Sequence, residues 1–223
     1  MPYRRTQGDV VYHVLNRASD GLQLFDTGAD YDAFEAIIAE ALEEVPVRII
    51  SYCVMPNHWH FVLWPQEDTD ASEFMHWLTM THAKRWRAFR GSTGRGHVYQ
   101  GVFKSFPVQS DWHFLTVCRY VERNALRAGL VGRAEDWRWC SLFRRQQGDA
   151  EAPTLLADGP LGWPDGWLAH VNEPLTSAEM DAVRRCIRRG EPFGSEDWVD
   201  RVARRLGLTA LLRPHGRPRK FRT

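Results

Sequence analysis

Two apolar runs separated by only two residues constrain the fold of this chain more than any other feature. The runs are VRIISYCVM at positions 47–55 and HWHFVLWP at positions 58–65, with Pro56 and Asn57 between them. Both runs are rich in β-branched and aromatic residues, which favour strands, and a Pro-Asn pair is typical of a turn. The sequence therefore predicts a hairpin of two central strands.

The segments on either side of the hairpin show strand and helix patterns in turn. Residues 9–17 and 102–110 alternate apolar and polar positions as strands do, whereas residues 30–45, 72–90 and 111–129 have the spacing of amphipathic helices. The resulting order is β-α-β-β-α-β-α. This order predicts an α+β fold of the ferredoxin-like type, an antiparallel sheet with helices on one face.

Composition divides the chain into four parts. Residues 1–147 form the predicted main domain, and residues 148–175 are rich in Gly, Pro and Asp, which indicates a loop or linker. Residues 176–212 predict a helical extension whose first helix starts with the capping-box sequence TSAE. Residues 213–223 are basic and have too few apolar side chains to bury a core, so they predict a tail that contacts a partner.

The overall composition limits the class of protein. With 223 residues, 43% of them hydrophobic, the chain is large enough for one substantial core. No apolar run is long enough to span a membrane, and the first ten residues, MPYRRTQGDV, lack the apolar segment of a secretory signal. The four cysteines are far apart and form no C-x-x-C pair. These features predict a cytoplasmic protein with reduced thiols.

Charge is strongly segregated along the chain, although the formal net charge is only +1. Residues 74–110 contain no Asp or Glu, and residues 184–223 contain twelve Lys and Arg against four acids. Such segments can be ordinary solvated helix faces or a positive surface for a polyanion, and the nearby aromatic residues favour nucleic acid. The basic residues of the first segment are Lys84, Arg85, Arg87, Arg90, Arg95 and Lys104.

Two histidines, His58 and His60, lie inside the second apolar run. Residues two apart on a strand share a face, so the two imidazoles project together and can ligate one divalent ion. A structural role for the pair is an equally good interpretation of this motif alone. Positions 62 and 63 are Val and Leu, which excludes the H-x-H-x-H nucleotidyl hydrolases and the H-x-H-x-D-H metallo-β-lactamase-like hydrolases.

A second group of candidate residues lies on the third predicted helix. Tyr120 and Asn124 are four positions apart and therefore share a helical face. The amide oxygen of Asn124 is a possible metal ligand, and a mixed set of imidazole and oxygen suits Mg²⁺ or Mn²⁺. Tyr120 is either a core aromatic or a nucleophile for a phosphodiester. His113 lies on roughly the same face, where a structural or phosphate-contacting role fits best.

Four sequence blocks together resemble the single-tyrosine transposases, whose hallmark is His-hydrophobic-His. They are YHVLNR, YCVMPNHWHFVLWP, GHVYQGVFKSFPV and RYVERNALRAGLV, and the resemblance spans roughly residues 8–145. The later stretch LGLTALLRPHGRPRK resembles the subgroup of REP-associated tyrosine transposases. These are relatives of bacterial insertion-sequence enzymes and act on hairpins of repetitive extragenic palindromes.

The resemblance implies specific roles for the candidate residues. His58 and His60 would bind the divalent metal, Mg²⁺ or Mn²⁺, Asn124 would occupy the position of the third ligand, and Tyr120 would be the nucleophile. Residues 1–147 would form a catalytic domain of the HUH type that cleaves and joins single-stranded or hairpin DNA, most simply as a monomer. Relatives often carry Asn-Pro where this chain has Asn124-Ala125, a change that removes no functional group.

The same resemblance suggests how DNA would bind. The basic residues of positions 74–110 would follow phosphates, while Trp77, Trp86 and Tyr99 either stack on unpaired bases or pack in the core. In the tail, GRPRK either enters an AT-rich minor groove or is a generic charged segment. Its basic residues are Arg217, Arg219 and Lys220.

Two other functions remain compatible with these residues. One is a non-catalytic DNA-binding regulatory protein of the same fold. The other is a metal-dependent nuclease that uses water, with Tyr120 in a structural role. A covalent protein–DNA adduct distinguishes both from a transposase.

Overall fold

A four-stranded antiparallel sheet forms the centre of the protein. The computed structural model describes residues 6–92, 96–147 and 154–213. The strand order is β2-β3-β1-β4, as expected for a ferredoxin-like sheet, and the predicted α+β class is confirmed. The strands are β1 (Val11–Arg17), β2 (Arg48–Met55), β3 (His58–Trp64) and β4 (Lys104–Val108).

The predicted hairpin joins β2 and β3 through the turn at Pro56-Asn57. Met55 pairs with His58 and Cys53 pairs with His60 across this hairpin. Because side chains alternate along a strand, Trp59 lies on the opposite face from the two histidines, where it is fully buried. The shared face predicted for the histidines is therefore confirmed.

Eight α-helices lie within the described ranges. The first two pack on one face of the sheet, as predicted, whereas α3 and the later α5, α6 and α7 pack against the opposite face, which carries the histidines. That face is apolar at Val62, Phe106 and Val108, and the helices packed on it shield these side chains from water. The helices are α1 (Gly28–Glu44), α2 (Asp70–Phe89), α3 (Trp112–Glu122), α4 (Asn124–Arg127), α5 (Ser141–Gln147), α6 (Trp167–Asn172), α7 (Ser177–Arg189) and α8 (Glu196–Arg205).

The C-terminal helices extend the core on the histidine face. Val171 of α6 and Val183 of α7 belong to the same buried cluster as α3. The capping box predicted at Thr176 and Glu179 is present, with both reciprocal hydrogen bonds. All four cysteines are buried and free. Across the described ranges, no helix is both long and apolar enough to cross a membrane.

Candidate active site

The structure brings together four residues from distant parts of the sequence. His58 and His60 project from β3, Tyr120 lies on α3, and Asn124 begins α4. The ring of Tyr120 is perpendicular to the ring of His60, with 5.9 Å between the ring centroids, and the rings of His58 and His60 are 5.1 Å apart. The chain reaches this arrangement because α3 crosses the sheet face on which both histidines lie.

His60 contacts a third histidine that the sequence analysis did not identify. The Nδ1 atom of His60 lies 2.9 Å from the Nε2 atom of His13 on β1, and the two rings are stacked. His13 is fully buried. The alternation of YHVLNR places His13 on one face of β1, but only the pairing of β1 with β3 shows that this is the face of His60.

His58 is oriented by its neighbour in the turn. The Nδ1 atom of His58 lies 2.7 Å from the Oδ1 atom of Asn57. An amide oxygen only accepts hydrogen bonds, so Nδ1 of His58 donates and its Nε2 atom keeps a free lone pair. The Nε2 atom is therefore the one available to a metal ion.

Burial keeps these imidazoles neutral. It lowers the pKa of His58 to about 4, with smaller contributions from the positive charges of Arg17 and Arg127. Burial also lowers the pKa of His13 to about 3, and it moves the pKa of His60 well below its usual value. A neutral imidazole is the form that ligates metals.

Arg127 links Asn124 and Tyr120. It donates a hydrogen bond from Nη2 to the Oδ1 atom of Asn124, and its guanidinium lies 4.4 Å from the centroid of the Tyr120 ring. The Nδ2 atom of buried Asn124 has no hydrogen-bond partner within the described part of the chain. The geometry therefore leaves an incompletely satisfied polar group beside the nucleophile candidate.

The residue types at this site suit a divalent ion. Among the described residues, no three His, Cys, Asp or Glu side chains form a group that could hold a metal. The candidate ligands are instead two imidazoles and the amide oxygen of Asn124. His58 has a free Nε2 atom, and the Nε2 atom of His60 is free when its Nδ1 atom donates the hydrogen bond to His13. Mixed nitrogen and oxygen donors are compatible with Mg²⁺ or Mn²⁺.

Comparison with known proteins identifies the family. The model of the family described as "Transposase IS200 like" matches residues 6–124, which is more than half of the chain. The protein belongs to the IS200-like transposase family. Its fold is similar to a solved structure of a REP-associated tyrosine transposase bound to a REP hairpin, with a TM-score of 0.53 and 18% identity, covering 79% of this chain and 98% of the other. The comparison with curated proteins gives no match.

The range that matches the IS200-like family contains every candidate for metal binding and catalysis. His58, His60, Tyr120 and Asn124 all lie within residues 6–124, and Asn124 is the last residue matched. His13 also lies within this range, whereas Arg127 follows it directly.

Four of the five described basic residues that were predicted to bind DNA lie away from the histidines in this IS200-like transposase. Helix α2 packs on the opposite face of the sheet, where Arg85 pairs with Glu40 and Arg90 pairs with Asp26. Arg87 donates a hydrogen bond to the carbonyl of Gly96, and Lys84 is exposed. The other predicted contacts outside β4, namely Arg95, Arg217, Arg219 and Lys220, lie outside the described residues.

A different set of basic residues surrounds the histidines. Arg17 pairs with His58 across β1 and β3, and Lys104 pairs with Leu15, the β1 residue opposite His60. Directly opposed residues share a face, so Arg17 and Lys104 lie on the histidine side of the sheet. Lys104 belongs to the predicted set. Arg17 was missed because its placement depends on strand register. Arg127, whose positive charge acts on His58 and His60, was missed because it lies beyond the end of α3.

The other aromatic and histidine candidates have structural partners. Tyr99 is buried and bonds to both Trp59 and His82, which supports the core alternative for this residue. His113 lies at the start of α3, where its Nδ1 atom is 2.7 Å from Asp111. Trp86 donates to the carbonyl of Leu24 and packs partly buried beside α1.

Proposed function

We propose that this transposase cleaves and rejoins single-stranded DNA at REP-type hairpins through a 5′-phosphotyrosine intermediate. The observation that carries the proposal is the position of Tyr120, whose ring packs against His60 while Asn124 follows one turn later. The proposed nucleophile therefore lies beside one candidate metal ligand and one helical turn before another. Tyrosine is one of the residues that form covalent intermediates in enzymes.

The proposed reaction exchanges one phosphodiester for another. The Tyr120 hydroxyl loses its proton and attacks phosphorus, which forms the bond between tyrosine oxygen and the 5′-phosphate. The bond to the 3′-oxygen breaks, and that oxygen gains a proton to become a free 3′-hydroxyl. Because a phosphoester bond is conserved, the same hydroxyl or another strand can reverse the step without an external energy source.

The residues around Tyr120 supply binding and positive charge. A divalent ion, Mg²⁺ or Mn²⁺, held by the Nε2 atoms of His58 and His60 and the Oδ1 atom of Asn124, would polarise the scissile phosphate. Arg127 lies over the Tyr120 ring and would donate to a phosphate oxygen of the bound strand. Such preorganised charge favours the transition state, in which the phosphoryl oxygens carry more negative charge.

Hairpin DNA is the proposed substrate for two reasons. The REP hairpin is the ligand of the transposase whose fold this chain resembles. The histidine side of the sheet also carries Arg17 and Lys104, which can follow the phosphates of a strand that enters the site.

Covalent trapping on an end-labelled hairpin tests the proposal. With Mg²⁺ or Mn²⁺, DNA labelled at its 3′ end should become attached to the protein, whereas DNA labelled at its 5′ end should yield a shorter free fragment. Tyr120→Phe should abolish the adduct and leave hairpin affinity within about threefold, since the lost hydroxyl makes no hydrogen bond to the described residues. Tyr31→Phe, a buried tyrosine on the other face of the sheet, is the matched control and should retain the adduct.

Each alternative function gives a different result in this assay. An adduct on Tyr120→Phe would contradict the assignment of the nucleophile. Cleavage without an adduct would indicate a nuclease that uses water. Hairpin binding without cleavage in either metal would indicate a non-catalytic binding protein.

A further inference from the structure

His13 is a buried polar residue for which neither the fold nor the proposed chemistry yet gives a reason. It is fully buried between β1 and α3, in edge-to-face contact with Phe106 and Tyr120. Within the described ranges, its one hydrogen bond joins its Nε2 atom to the Nδ1 atom of His60 at 2.9 Å. Its own Nδ1 atom has no partner there. An apolar residue would fill this place without burying an unpaired nitrogen.

The hydrogen bond allows two proton arrangements, and only one of them suits a metal ligand. If Nε2 of His13 donates, neutral His60 carries its proton on Nε2, and this atom then has no lone pair for a metal. If Nδ1 of His60 donates instead, its Nε2 atom is free to ligate. A ligating histidine usually has its other ring nitrogen fixed by such a partner, which sets the tautomer and the ring orientation.

We propose that His13 is a positioning residue that accepts a hydrogen bond from Nδ1 of His60 and thereby holds Nε2 of His60 ready for the metal ion. The inference rests on the metal site of the proposed function. It assigns His13 no contact with DNA or metal. In this arrangement the single proton of His13 lies on its Nδ1 atom.

The partner of His13 differs in kind from the partner of His58. Asn57 Oδ1 can only accept, so this hydrogen bond fixes the tautomer of His58. The bond between His13 and His60 can reverse its direction, so metal binding must select one of the two arrangements. Of the two residues that orient the candidate ligands, His13 is therefore the one whose substitution gives more information.

Two substitutions distinguish a role of His13 in orienting His60 from a role in filling the core. His13→Gln retains an acceptor close to the place of Nε2, whereas His13→Leu fills similar space without one. We expect His13→Leu to weaken Mn²⁺ binding roughly 10–100-fold and His13→Gln to remain within about threefold of the unchanged protein. Mn²⁺ affinity is measured by electron paramagnetic resonance titration of the full chain without DNA, and thermal unfolding is recorded for each variant.

The tautomer of His13 provides a second measurement that requires no substitution. Long-range ¹H–¹⁵N spectra of the Mg²⁺-loaded protein should show His13 protonated on Nδ1 and His60 protonated on Nδ1. A proton on Nε2 of His13 would overturn the proposal, even if His13→Leu failed to fold. Equal Mn²⁺ affinities for folded His13→Leu and His13→Gln would also overturn it.

Failure of the metal site itself gives a distinct result. If the unchanged protein binds no Mn²⁺, or binds it as tightly after His58→Ala, the metal assignment in the proposed function is wrong. If His58→Ala abolishes binding while His13→Leu leaves it intact, only the role of His13 is wrong.

Discussion

The two candidate ligand histidines obtain their orientation from partners at very different sequence distances. Asn57 is the residue directly before His58, so the hydrogen bond between them is local to the turn. His13 is 47 positions from His60 and reaches it only because β1 lies beside β3. The motif PNHWH therefore contains the residue that orients His58, whereas His13 reaches His60 only in the folded sheet.

The hydrogen bond between Asn57 and His58 gives a testable prediction. Removal of its side chain in Asn57→Ala should weaken Mn²⁺ binding roughly tenfold, because Nδ1 of His58 loses its acceptor and the ring can rotate. Asn57→Asp keeps an acceptor oxygen and should bind Mn²⁺ at least as tightly as the unchanged protein. Calorimetric titration of the DNA-free protein measures both affinities.

An asparagine outside the site is the control for this prediction. Asn172 accepts from the backbone of Ala134 and contacts Glu135, so Asn172→Ala removes comparable hydrogen bonds without touching the histidines. It should leave Mn²⁺ affinity unchanged. A similar affinity loss in Asn57→Ala and Asn172→Ala would indicate general destabilisation and contradict an orienting role for Asn57.

The position of α3 over the histidine face is fixed by a buried carboxylate. Glu122, two residues after Tyr120, is fully buried and accepts hydrogen bonds from Ser51 of β2, Ser141 of α5 and Trp167 of α6. Arg145 completes the group with an ion pair. The carboxylate thus connects three helices and a strand, and it fixes the register of α3 that brings Tyr120 to His60.

Removal of this charge should strongly destabilise the protein. Glu122→Gln leaves the Arg145 guanidinium without its buried partner, and breaking a buried ion pair in this way typically costs about 3–5 kcal/mol. The exposed pair of Glu40 and Arg85 provides the control, since loss of a surface pair costs at most about 1 kcal/mol. Urea unfolding of Glu122→Gln and Glu40→Gln gives both free energies, and equal values would contradict the role assigned to Glu122.

The elements that could be predicted from the sequence are those with local signals. The hairpin follows from two apolar runs and a turn, and α7 follows from its capping box. The prediction that all helices lie on one face was incomplete for α3, because periodicity shows that a helix has an apolar side but not which sheet face receives it. The predicted helix at 111–129 also divides at Arg123, and no local signal marks that break.

Some residues of the candidate site could likewise be predicted from the sequence, and others could not. His58, His60, Tyr120 and Asn124 stand out because their residue types and spacing suit metal and phosphodiester chemistry. His13 and Arg127 do not stand out in the sequence. His13 contacts His60 because of the strand register, and Arg127 lies on α4, after the break at Arg123. Their roles are visible only when tertiary contacts are known.

Four basic residues on the two faces of the sheet differ in whether an acidic residue pairs with them. On the side of α1 and α2, Arg85 and Arg90 are paired with acids of α1 or of the segment before it. On the histidine side, Arg17 and Lys104 have no ion pair with the described residues, and both lie beside the candidate site. A DNA phosphate would compete with existing ion pairs at Arg85 and Arg90 but not at Arg17 and Lys104.

Salt dependence of hairpin binding tests which side contacts the DNA. Each phosphate contact with a single strand contributes about −0.7 to the slope of log affinity against log salt concentration. Arg17→Gln and Lys104→Gln should each weaken binding and make the slope shallower by about this amount, whereas Arg85→Gln should leave the slope unchanged because its charge is already paired with Glu40. The opposite pattern would place the DNA on α2, where the sequence predicts four of its basic contacts. Fluorescence anisotropy of Tyr120→Phe forms of all three variants, with a labelled hairpin at several salt concentrations, measures binding without interference from cleavage.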